Sequence, residues 1–213
     1  MCSICIIFDP QLTAFSYKSM IDKLIEWDKD LLVYLNSFHA PWLDPVMLLI
    51  TKTFFWLPLY AFLIFLLFKN FKKEAWFILI GAALTILLCD QITSTFMKPF
   101  FARLRPSQDP TMFGLLHHVD GYKGGRYGFS SGHAANTLGV ALFVWLTLRS
   151  VYKWIGLIFI WAMLMTYTRI YLGVHFPGDI LVGGTIGLLC GFFGFKFSQY
   201  LRNRYHKKTL SET

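Results

Sequence analysis

The chain has 213 residues, 55% of them hydrophobic and 18% aromatic, with a formal net charge of +8. Its mean hydropathy of +0.51 is higher than a water-soluble domain of this length carries. Several apolar runs approach the roughly 20 residues that cross a bilayer as a helix. The composition argues against a soluble globular domain and for one polytopic membrane domain. The positive charge fits basic cytoplasmic loops and an anion site better than nucleic acid.

Residues 1–19 read as an N-terminal tail without the pattern of a signal peptide. Cys2 and Cys5 make a lone C-x-x-C there, with no second pair to complete a zinc site. Residues 20–40 alternate Ile21, Leu24, Ile25, Leu31, Leu32 and Leu35 with charged residues, an amphipathic helix suited to the membrane interface. The run Trp42–Phe68 is interrupted by Lys52 and Pro58. It reads as one kinked span, or as a short interfacial segment followed by a span. Cleaner spans follow at about Ala75–Met97, His133–Leu148, Trp154–Tyr171 and Ile180–Phe197. Cys89 and Cys190 fall in apolar runs as packing residues, and Trp42, Trp56, Trp76 and Trp154 read as interfacial anchors. The expected fold is all-α, a bundle of about five to six transmembrane helices over residues 41–202, with 203–213 a basic cytoplasmic tail.

Lys69, Lys72 and Lys73, then Arg149 and Lys153, then Arg202, Arg204, Lys207 and Lys208 fall on one face if the spans alternate. The positive-inside rule makes that face cytoplasmic. The long 99–130 loop and the Gly173–Gly178 turn then share the outer face, although the loop also carries Arg103, Arg105, Lys123 and Arg126.

Three segments meet on that outer face. Lys98 and Arg105 are seven apart and share a helix face if the helix persists past Pro99. Ser131-Gly132-His133 opens a span, where unpaired N–H groups and the helix dipole attract anions. Arg169, His175 and Asp179 straddle the last turn. Taken singly, a boundary cation more often snorkels and a lone His is more often structural. Three cations, two histidines, one carboxylate and a Ser-Gly turn at one depth are instead the parts of metal-free phosphoryl transfer. His175 attacks phosphorus with Asp179 behind it. His133 protonates the leaving oxygen and then activates water. Lys98, Arg105 and Arg169 hold the phosphate oxygens, together with Ser131 and Gly132.

The order K-x6-R-P, S-G-H and R-x5-H-x3-D, spanning Lys98 to Asp179, resembles the three-part signature of the type 2 phosphatidic acid phosphatase superfamily. The resemblance implies a bundle of about six helices, no metal or cofactor, a lipid phosphate or diphosphate substrate, and the same residue roles. Ser130 stands where that family usually has Pro, and Thr168 where it usually has Ser. An outward-facing site in an inner or plasma membrane makes undecaprenyl diphosphate the leading substrate. Phosphatidylglycerol phosphate, phosphatidic acid and lipid A are the alternatives. A phosphotransferase using the same phosphohistidine and a non-enzymatic scaffold are competing readings. Asp90, inside a span, is either functional or structurally paired. His117, His118, Asp120 and Lys123 either touch a headgroup or are solvated.

Overall fold

The computed structural model describes the backbone of residues 10–211 and the side chains of 18–207, so Cys2 and Cys5 lie outside the described residues. The helices are α1 (Pro10–Asn36), α2 (Asp44–Ile50), α3 (Leu57–Phe71), α4 (Ala75–Asp90), α5 (Lys98–Phe101), α6 (Gly132–Leu148), α7 (Ile158–Tyr171) and α8 (Pro177–Ser211). The Trp42–Phe68 run resolves as the second of its two readings, short α2 followed by spanning α3.

Among the described residues, three helical stretches are long and apolar enough to cross a membrane: Thr53–Phe101, Lys153–Tyr171 and Pro177–Lys207. The first turns back at Lys72, whose φ of 48° ends α3, so it supplies two crossings. Helix α6 adds a fifth, although its 17 residues reach only about 25 Å. Between α4 and α5 the residues Gln91–Met97 are π-helical, and the Lys98 N–H reaches back five residues to the Thr93 carbonyl. Pro99 accounts for this widening, because it has no N–H and its ring crowds the carbonyl four residues earlier.

Helix α8 is the axis of the bundle. Gly183, Gly187 and Gly191 recur every fourth residue and lie against the carbonyls of Ser131, Ala135 and Gly139, which recur at the same interval along α6. A Cβ at any of the three would strike those carbonyls, so the two backbones touch directly. On the α4 side, a Cβ on Gly81 would lie 2.7 Å from the Gly194 carbonyl. The apolar core fills the remaining space with Leu63, Leu66, Ile78, Phe143, Leu148 and Trp161 from α3, α4, α6 and α7.

Helix α1 packs on the end of the bundle where α6 and α8 begin, through Leu32 against Phe176 and Ile180. Its last residue, Asn36, accepts the His117 N–H at 2.7 Å and donates to the carbonyls of Ile170 and Tyr171. The long loop is thereby tied to both α1 and the α7–α8 turn. Trp42, Trp76 and Trp154 are exposed as interfacial anchors would be. Trp56 turns inward, donating to the Ile50 carbonyl at 2.7 Å and packing on Trp161.

Candidate active site

After α7 the chain turns through Gly173, whose φ of +64° favours glycine, and Pro177 then starts α8. The turn buries His175 to 1% exposure and Asp179 to 0%. His175 Nδ1 lies 3.2 Å from Asp179 Oδ2, and its Nε2 lies 2.9 Å from Arg105 Nη1. A guanidinium only donates, so Nε2 is the acceptor and Nδ1 carries the proton towards the carboxylate. Burial first, then the charges of Arg105 and Arg169, hold the imidazole well below its ordinary pKa of 6.5. His175 is therefore neutral, with its lone pair directed at Arg105.

Lys98 and Arg105 do not share a helix face as expected. The helix ends at Phe101, Ala102 adopts φ 46°, and Arg105 lies on extended chain bridged to the Tyr127 segment. The two cations converge all the same. Arg105 is anchored by the carbonyls of Tyr127 (3.1 Å) and Val174 (3.3 Å). Burial and the neighbouring Arg169 lower its pKa to about 10, which leaves it charged at neutral pH. Lys98 Nζ donates to Ser94 Oγ at 2.9 Å, and a Cβ on Gly132 would lie 3.8 Å from it. Arg169 is 2% exposed and donates from Nη1 to Thr51 Oγ1 (2.9 Å) and Tyr122 OH (3.1 Å). Its Nε–H is buried without a partner among the described residues.

Ser131 caps α6, its Oγ accepting the Ala134 N–H at 3.3 Å, and its own N–H donates to the Asp179 carbonyl at 3.0 Å. The starts of α6 and α8 are thus pinned together. Ser131 serves this joint, while the N–H groups of Gly132 and His133 stay in the first turn, where no intrahelical acceptor exists. His133 is near enough to Arg169, His175, Arg105 and Lys98 to feel the charge of each. All eight motif residues therefore meet at one end of the bundle.

The two departures from the family pattern keep the scaffold intact. Ser130 is buried and donates to Met97 Sδ at 3.3 Å. Thr168 Oγ1 donates to the Met165 carbonyl and pairs with Thr51 Oγ1 at 2.9 Å, supporting the hydroxyl that receives Arg169. Asp90 accepts from Asn136 Nδ2 at 2.8 Å, the structural pairing. His117 bonds Asp44 at 2.9 Å, His118 backs on Gly173, and Asp120 and Lys123 are exposed, so none of these joins His175. Among the described residues, no three His, Cys, Asp or Glu side chains form a metal cluster.

Four contributors escaped the sequence. Arg103 Nη1 bonds Asp179 Oδ1 at 2.9 Å and its Nη2 bonds Asp28 Oδ2 at 2.7 Å. Thr51 and Tyr122 hold Arg169 from 118 and 47 residues away. Only Arg103 had a local signal, since two residues apart on extended chain face the same way as Arg105.

The model of the PAP2 superfamily matches residues 75–203. The chain belongs to this superfamily. It is 41% identical over 189 residues to the lipid A 4'-phosphatase of Porphyromonas gingivalis, covering 87% of this chain and 78% of that one. It is 40% identical over 197 residues to the lipid A 4'-phosphatase of Bacteroides thetaiotaomicron, covering 91% and 85%. The crystal structure of the transmembrane PAP2-type phosphatidylglycerolphosphate phosphatase of Bacillus subtilis superposes with a TM-score of 0.62 at 26% identity, over 84% of this chain and 87% of that one. This PAP2 protein is an integral-membrane lipid phosphate hydrolase with an all-helical fold.

Proposed function

We propose that the protein removes a phosphate monoester from lipid A, the 4'-phosphate foremost, through a phosphohistidine on His175. The observation that carries this reading is the His175 imidazole, held neutral with Nδ1–H on Asp179 and its Nε2 lone pair on Arg105, with the charges of Arg169 and Lys98 nearby. Nε2 attacks phosphorus as Arg105 transfers its donors to the phosphate oxygens, alongside Lys98, Arg169 and the first N–H groups of α6. The phosphate's negative charge favours the protonated form of His133. As the P–O ester bond breaks, His133 gives its proton to the leaving sugar oxygen. Asp179 steadies the cationic phosphohistidine. His133, now neutral, takes a proton from water, and the hydroxide attacks phosphorus. The P–N bond breaks, releasing inorganic phosphate and neutral His175.

A cavity of about 360 Å³ with His133 and Asn136 beside the site continues between α3, α4, α6 and α7, lined by Leu63, Val140, Phe143 and Trp161. Such a space suits an acyl chain. The names of the relatives at 41% and 40% identity favour lipid A over undecaprenyl diphosphate. The end opposite the site carries Lys69, Lys72, Lys73, Arg149, Lys153, Arg202 and Arg204, which supports an outward-facing site.

The test is phosphate release by the detergent-purified protein in EDTA, with His175→Ala in parallel. The panel holds lipid A, undecaprenyl diphosphate, phosphatidylglycerol phosphate and phosphatidic acid. Lipid A is expected to turn over fastest, losing its 4'-phosphate, and His175→Ala to release nothing. Faster release from another lipid overturns the substrate, activity in His175→Ala overturns the nucleophile, and dependence on added divalent metal overturns the metal-free chemistry.

A further inference from the structure

Helix α1 lies outside the three motifs, yet its Asp28 reaches the buried carboxylate behind His175. We infer that Asp28 and Arg103 are positioning residues that hold Asp179 in line with His175, an inference that rests on the histidine mechanism above. Each group in the bridge has its acceptors and donors matched. Asp179 Oδ2 takes His175 Nδ1 (3.2 Å) and the Phe176 N–H (3.1 Å), while Oδ1 takes Arg103 Nη1 (2.9 Å). Arg103 Nη2 meets Asp28 Oδ2 at 2.7 Å, and the guanidinium carbon sits 4.1 Å from the centre of the Phe176 ring. This cation–π contact and the two carboxylates together hold the guanidinium fork in place.

Asp28 does a second task. Its Oδ1 accepts the Gly178 N–H at 2.7 Å, one of the first-turn donors of α8 that have no partner in their own helix. A side chain on Gly178 would meet Asp28 Oδ2 at 2.9 Å, so glycine there is what admits the carboxylate. One residue of α1 thus caps α8 and, through Arg103, orients the carboxylate one residue further on. Neither Asp28 nor Arg103 bonds His175, Lys98 or Arg105. Their influence on the reacting atoms runs through Asp179.

The experiment compares Arg103→Met, Arg103→Lys and Asp28→Asn for kcat and KM on the turned-over lipid, with thermal unfolding alongside. It then repeats Arg103→Met in an Asp179→Asn background. Misaligning the nucleophile by an ångström is expected to lower kcat by about 100-fold in Arg103→Met, with KM nearly unchanged. Arg103→Lys recovers part of the loss, and Asp28→Asn costs about tenfold because Asn keeps the Gly178 cap but not the charge. In the Asp179→Asn background, Arg103→Met removes no further activity. A full, multiplicative loss in that background, or a raised KM at unchanged kcat, places Arg103 on the substrate and overturns the bridge. His175-dependent release that is indifferent to Asp28 and Arg103 overturns the bridge alone. Release that survives His175→Ala overturns the mechanism beneath it as well. If Arg103→Met does not fold, Arg103→Lys and Asp28→Asn decide by the same criteria.

Discussion

The two sides of α6 are packed on different terms. Towards α8 it meets backbone, with Gly183, Gly187 and Gly191 set against the carbonyls of Ser131, Ala135 and Gly139. Towards α3 and α7 it lines the cavity of about 360 Å³. The tight side aligns the starts of two helices, and those starts carry Ser131, Gly132 and His133 on one and Asp179 on the other. The loose side carries no motif residue below His133. On the proposed reading, precision is concentrated where phosphorus meets nitrogen, and slack is left for an apolar chain.

The largest effect should come from closing the seam. Gly187→Leu drives a side chain into the Ala135 carbonyl, backbone that has nowhere to go. Loss of the folded, monodisperse protein is expected, with Gly187→Ala costing about 1–3 kcal/mol of stability. A Gly187→Leu protein that melts with the wild type would show the seam to be slack. Next in size is the opposite face. Val140→Phe fills the cavity and should raise KM for the long-chain lipid by roughly tenfold, about 1.4 kcal/mol, without changing hydrolysis of a short water-soluble phosphate ester. Equal effects on both substrates would remove the cavity from lipid binding.

The smallest is a pH effect. His175 is held neutral in the folded protein, well below 6.5, whereas the unfolded chain takes up a proton near that value. The unfolded state therefore binds more protons as pH falls below 6.5, and stability is lost in that direction. Between pH 6.5 and 5.5 this one group should lower the melting temperature, and the fall should be less pH-sensitive in His175→Asn. A pH dependence identical in His175→Asn would refute the assignment of the loss to this residue.

Much of this site could be read before any coordinates. The spacing from Lys98 to Asp179 named eight residues that do meet, and the apolar runs located five crossings. What failed were inferences that needed the path of the chain. Pro99 and the left-handed Ala102 end the helix that was to carry Lys98 and Arg105 on one face. Trp56 looked like an interfacial anchor because periodicity does not reveal that α2 folds back to receive its N–H. Asp28 sits among Glu26, Lys29 and Asp30, a pattern indistinguishable from a solvated helix face. Its partners are 75 and 150 residues away, and no local signal encodes such pairs. Motifs record the groups that converge on the candidate site, and the groups that hold them there are set by tertiary contact.

The guanidinium of Arg105 lies on His175 Nε2, the nitrogen proposed to attack. On the proposed mechanism, reactivity is conditional on an incoming group able to draw the Nη1 donor of Arg105 away from the imidazole, which anionic phosphate oxygens do and a neutral carbonyl does not. If lipid A is the substrate, its acyl esters meet a histidine whose lone pair stays covered. On that reading, chemical discrimination between the two kinds of ester is built into the resting arrangement, as a lock that only the correct charge opens.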